Sequence, residues 1–92
     1  MYNIISKAEL KELRELRSNH LIRGIGAIKD IERYRDLLHR ATDFIKTLPK
    51  NEAIVIEALY IHGQSSICVG MILNYSDRQI RRIRKRVLDR IA

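Results

Sequence analysis

The sequence predicts an all-α fold in which an N-terminal helical hairpin is followed by a compact three-helix unit. Three observations lead there. Along Ala27, Ile31, Tyr34, Leu38, Ala41, Ile45 and Leu48 the apolar residues alternate steps of four and three, the spacing of one helix face. Ser6 with Glu9, and Ser76 with Gln79, each form the two ends of a capping box, a helix-start signal. Four glycines and one proline in 92 residues leave too few turn formers for a protein of many short strands.

The elements follow in order. Ser6 starts a first helix from about Lys7 to Leu21 that buries Leu10 and Leu13. Its charges alternate in sign (Lys7, Glu9, Lys11, Glu12, Arg14, Glu15, Arg17), which reads as a solvated face. Gly24-Ile25-Gly26 then weakens or bends the helix, since each glycine costs about 1 kcal/mol relative to alanine. No preceding strand or further glycine turns that step into a phosphate-cradling loop. A second helix spans residues 27–47, its stripe widened by Ile28, Leu37 and Phe44. So wide a stripe either packs within the chain, against the first helix and the C-terminal unit, or forms the seam of a homodimer through residues 27–48.

Leu48-Pro49 ends that helix, because proline disfavours helical geometry in the residue before it and suits the first turn of the next. A third helix covers Lys50 to about His62 with Ile54, Val55, Ala58, Leu59 and Ile61 inward, and Gly63 is its left-handed stop. Ser65 or Ser66 caps a short fourth helix ending at Leu73, and Asn74 supplies the positive φ that terminates it. Ser76 caps the last helix, expected to run through Ile91. The chain thus divides into residues 1–47, a helical support or oligomerisation segment, and residues 48–92, the functional unit.

Charge points to the partner. The formal net charge is +7. Residues 24–62 balance six Lys/Arg against six Asp/Glu, whereas residues 77–92 carry seven basic groups against Asp77 and Asp89. Such concentration calls for a polyanion. A membrane surface is disfavoured, as the chain has no Trp and the basic helix no aromatic residue. RNA is disfavoured too, because only Tyr75 is near enough to stack on a base. Double-stranded DNA remains. Enzymatic roles are not expected: Cys68 is the single cysteine, and His20, His39 and His62 share no ligand spacing, so no catalytic residue, metal or cofactor is assigned. Cys68 is expected inside or at the edge of its helix, and Tyr60 and Tyr75 in the core or on its rim. The absence of a signal sequence and of any apolar run near ~20 residues points to a cytoplasmic protein with no membrane partner.

The last two helices match the steric pattern of a helix-turn-helix. Gly70 is the small residue where the second helix crosses the first, Asn74 stands in the turn, and Val69, Leu73, Tyr75, Ile80 and Ile83 plug the angle between them. With Ile80, Ile83, Val87 and Ile91 inward, Ser76, Asp77, Arg78, Arg81, Arg82 and Lys85 face outward near the helix start, the end such units lay in the major groove. Arginine pairs bidentately with guanine and Gln79 is suited to adenine. Lys85 or Arg86 is expected on phosphate. Together with Ser66, at the start of the preceding helix, these nine residues are the expected DNA-binding set.

From Leu48 to Val87 the run LPKNEAIVIEALYIHGQSSICVGMILNYSDRQIRRIRKRV resembles the promoter-reading region four of bacterial sigma factors, with Leu48-Pro49, Tyr60, Gly63, Ser65, Leu73 and Ser76 at that family's spacing. The phrase YSDRQIRRIRKRVL, residues 75–88, looks still more like small phage late-gene activators of the RinA and ArpU type. Asn74 replaces the usual glycine and Gly70 the usual alanine. The resemblance implies a sigma region four-like unit in a phage or prophage promoter activator that touches RNA polymerase through the helix from Lys50 to His62. With no room for the promoter-melting region, an autonomous sigma factor is not expected. The rival expectation is a sigma-like adaptor or anti-sigma interaction module, docking through the wide stripe of the second helix.

Overall fold

The computed structural model describes residues 5–23 and 28–91, with side chains described outside residues 18–30. These residues form five helices and no strand. They are α1 (Lys7–Arg23), α2 (Ile28–Ile45), α3 (Lys50–Ile56, continued by a π-helical turn Glu57–Ile61), α4 (Ser66–Leu73) and α5 (Asp77–Asp89). The expected bend at Gly24-Ile25-Gly26 and the side chains of Ala27 and Ile28 lie outside the described residues.

The start signals act as the sequence implies. At α1 the Ser6 N–H donates to Glu9 Oε1 at 3.0 Å while Ser6 Oγ accepts from the Glu9 N–H at 3.2 Å. Ser76 and Gln79 repeat this reciprocal arrangement at α5, with distances of 2.8 and 3.1 Å. Ser65, rather than Ser66, caps α4 by accepting from the Cys68 N–H. Gly63 and Asn74 have φ of +67° and +60°, so both helix stops adopt the left-handed backbone.

One apolar core draws on every helix: Leu10 and Leu13 from α1, Leu37, Ala41 and Ile45 from α2, Val55, Ile56, Leu59 and Tyr60 from α3, Val69 from α4, and Ile80, Ile83 and Val87 from α5. Residues 1–47 and 48–92 therefore share a core and bury each other's apolar surface. The α2 stripe is used inside the chain, against α1 and the π-helical turn. Its innermost line is Leu37, Ala41 and Ile45, at steps of four, so Leu37 is fully buried where the heptad reading favoured Leu38. Ile31 is left exposed. Tyr34, Leu38, Phe44 and Leu48 are partly buried against the same core.

The face of α1 expected to be merely solvated is sorted by charge. Glu9 accepts from Arg40, and Glu12 receives Arg33 bidentately at 2.9 and 3.1 Å, both on α2. As the α1 number rises from 9 to 12 its partner falls from 40 to 33, so the two helices run in opposite directions. Lys7, Lys11 and Arg14, spaced four and three apart, lie along the other flank. The third helix departs from the expected α-geometry at Glu57, where the His62 N–H reaches back five residues to the Glu57 carbonyl at 3.1 Å. Arg14 Nη1 donates to the Leu59 carbonyl at 3.1 Å and to that of Gln64 at 3.4 Å. Arg17 approaches Gly63 so closely that a Cβ there would stand 2.8 Å from its guanidinium. Arg14 therefore braces the turn that launches α4, with Arg17 lying beside it.

Candidate nucleic-acid interface

The geometry of α5 is set by its neighbour α4. Gly70 lies where the chain returns into α5: a Cβ on it would stand 2.5 Å from the Tyr75 carbonyl oxygen. The Tyr75 N–H donates to the Gly70 carbonyl at 2.8 Å, closing the turn around left-handed Asn74. Ile80, Ile83 and Val87 then anchor α5 in the core. Of the five residues expected to plug the angle, Val69, Ile80 and Ile83 are buried, Leu73 is half-buried and Tyr75 is exposed.

The nine expected contact residues separate into four groups. Arg78, Arg82 and Lys85 are exposed, and no carboxylate among the described residues pairs with them. Ser66, Asp77 and Arg81 are linked: the Ser66 hydroxyl donates to Asp77, whose other oxygen holds Arg81 Nε at 3.0 Å. Ser76 and Gln79 cap the helix. Gln79 Oε1 already accepts from the Ser76 N–H, so a bidentate pairing with adenine has to share that oxygen with the cap or open it. Arg86 turns toward α3, where its Nη1 lies 3.7 Å from Glu52 Oε2.

No family model matches the chain, and neither a curated protein nor a solved structure matches it. Three cations without a carboxylate partner among the described residues, on the outward face of a helix anchored in the core, can donate hydrogen bonds to phosphate or to the acceptor-rich edge of guanine. Among the described residues there is no cluster of three or more metal-ligating side chains, and no helix is long and apolar enough to cross a membrane.

Glu52 carries a role the sequence reading did not assign. It is 4% exposed at the start of α3 and receives Arg90 and Arg86 from the end of α5. A glutamate in the first turn of a helix looks like an ordinary dipole partner, and only the folded chain brings two arginines to it. It ties the far end of α5 to α3, as the Ser66–Asp77 hydrogen bond ties the near end to α4. Cys68, expected to pack inside or at the helix edge, is exposed. The reason is that α4 buries only Val69 and Gly70, leaving Ile67, Met71 and Ile72 at 61%, 80% and 64% exposure. An eight-residue helix that is apolar on every side has no periodicity to show which face will be covered.

Proposed function

We propose that this protein is a sequence-specific DNA-binding transcription regulator, a phage or prophage promoter activator whose α4 and α5 act as a sigma region four-like helix-turn-helix after an N-terminal helical hairpin. The observation that carries the reading is the exposed, carboxylate-free set Arg78, Arg82 and Lys85 on the outward face of α5. The close crossing at Gly70, the left-handed Asn74 and the Ser76 cap support an α5 that presents this face outward, as a major-groove helix requires. In this reading Arg78 and Arg82 contact bases. Lys85 contacts phosphate. Asp77, tied to Ser66 and Arg81, orients its neighbours rather than meeting the polyanion directly. The setting is the cytoplasm of a bacterial or phage-infected cell.

The test is selection of bound sequences from a random duplex pool, followed by gel shifts on the selected site. Arg78→Ala and Arg82→Ala are each expected to weaken that site by about 1–3 kcal/mol while retaining binding to bulk DNA. If both variants hold the selected site as tightly as the parent chain, α5 is not the reading element.

A protein-interaction role is the second reading, and it has an observation of its own. Ile67, Met71 and Ile72 form an exposed apolar face on α4. In an activator that face is a better contact for RNA polymerase than the α3 helix, whose Val55, Ile56, Leu59 and Tyr60 are spent in the core. In a sigma-like adaptor it is the principal surface. Failure of the parent chain to bind any duplex at moderate salt decides for the adaptor.

A further inference from the structure

The charge sorting on α1 leaves a basic flank whose position is informative. Lys7, Lys11 and Arg14 line one side of a cleft of about 530 Å³, and Arg84 of α5 lines the other. Leu59 and Leu88 contribute its apolar part, and Ser65 and Ser66 at the start of α4 also line it. No carboxylate lines it among the described residues, although acidic side chains make up almost two in five of the chain's charged groups (11 against 18). Lys7, Lys11 and Arg84 are exposed and form no ion pair with any described carboxylate. Burial holds the Tyr60 hydroxyl above its ordinary 10.0, opposed by the nearby guanidinium groups of Arg84 and Arg14.

The cleft is continuous with the outward side of α5. Arg84 follows Arg81 by one helical turn, and Arg81 is joined through Asp77 to Ser66 on the cleft wall. A polyanion that reaches Arg81 and Ser66 from the outward face of α5 therefore comes next to this second row of cations. We infer that the cleft between α1 and α5 is a backbone clamp for duplex DNA, in which Lys7, Lys11 and Arg84 neutralise phosphates flanking the stretch read by Arg78 and Arg82. This rests on the DNA-binding reading and extends the interface into residues 1–47. Like charges gathered on one surface repel one another, whereas on a duplex they release condensed counterions. The clamp also addresses affinity, because a single reading module covers only ~600–1,000 Å² of DNA.

The experiment measures binding of the full chain to non-specific duplex across a salt series of roughly 50–200 mM. Lys7→Ala/Lys11→Ala is expected to lower the slope of log K against log salt by about 1.8, two phosphates at ~0.9 each, with sequence preference unchanged. Arg84→Ala is expected to lower it by about 0.9. Because these side chains are exposed, unchanged circular dichroism and melting temperature accompany the loss. A slope equal to the parent's in both variants, with the parent binding normally, overturns the clamp and leaves the α5 reading standing. No duplex binding by the parent chain overturns that reading and the clamp with it. Titration with inorganic phosphate is the remaining arm: amide shifts at Ser65, Ser66, Lys7 and Lys11 that saturate below millimolar phosphate, together with an unchanged duplex slope, make the cleft a small-anion site and overturn the clamp.

Discussion

Replacing Gly70 by alanine tests whether the α4–α5 angle is set by a close backbone crossing. In an isolated helix this exchange stabilises by about 1 kcal/mol, so a glycine without a tertiary role gives a more stable variant. Here the added Cβ would stand 2.5 Å from the Tyr75 carbonyl oxygen and 3.6 Å from the Ser76 carbonyl carbon. Ordinary contact with the oxygen requires the chain at Tyr75 to retreat by roughly 1 Å, yet that stretch is held on both sides. The Tyr75 N–H is bonded to the Gly70 carbonyl at 2.8 Å, and Ser76 is fixed by its capping box. Overpacking of this kind costs about 1–3 kcal/mol, and weakening the turn bond adds about 0.5–1.5 kcal/mol. Set against the helix-propensity gain, the expected net loss is about 1–3 kcal/mol, with ~2 kcal/mol as the central figure. At ~4–8 °C per kcal/mol for a domain of this size, thermal denaturation followed by circular dichroism should show a drop of about 8–16 °C at that central value. A melting temperature equal to or above the parent's refutes the crossing argument.

Two further outcomes follow from the ion pairs. Glu52→Ala leaves Arg86 and Arg90 without their shared carboxylate, and since both arginines can rehydrate, a loss of about 1–2 kcal/mol in urea unfolding is expected; no change would mean that α5 is held by its apolar face alone. The Glu9 and Glu12 carboxyls are held below their ordinary 4.5, first by the hydrogen bonds from Arg40 and Arg33 respectively, against an opposing effect of burial. Lower native values mean that the unfolded chain takes up protons first, so their contribution is complete above 4.5 and is lost as pH falls through the depressed native values. Melting temperature should therefore fall across that acid window, and less steeply in Glu9→Gln; parallel curves for parent and variant would dismiss the α1–α2 pairs as a source of stability.

The residues of the fold differ in how far they could be read in advance, and the division follows interaction range. The caps at Ser6, Ser65 and Ser76 and the stops at Gly63 and Asn74 act on backbone groups three or four residues away, so a short stretch of chain contains both partners. The inward line of α5 is likewise legible, since Ile80, Ile83 and Val87, with Leu88 beside them, are the only apolar residues of that helix. The heptad reading of α2 found the right helix but preferred Leu38 to Leu37, because two adjacent leucines both satisfy an apolar spacing and only the placement of α1 and the π-helical turn selects between them.

Local chemistry in the sequence by itself determined five helices, their caps and a basic last helix with an outward arginine set. Only the tertiary structure decided which charges remain free to meet a partner. Glu52 takes Arg86 and Arg90 across the fold, Glu9 and Glu12 are turned to α2, and Lys7, Lys11 and Arg84 are brought to one cleft from opposite ends of the chain. Charges are long-range and unselective, so their pairing is dictated by where apolar packing puts the helices. That packing involves contacts between residues far apart in the chain, which no local pattern specifies.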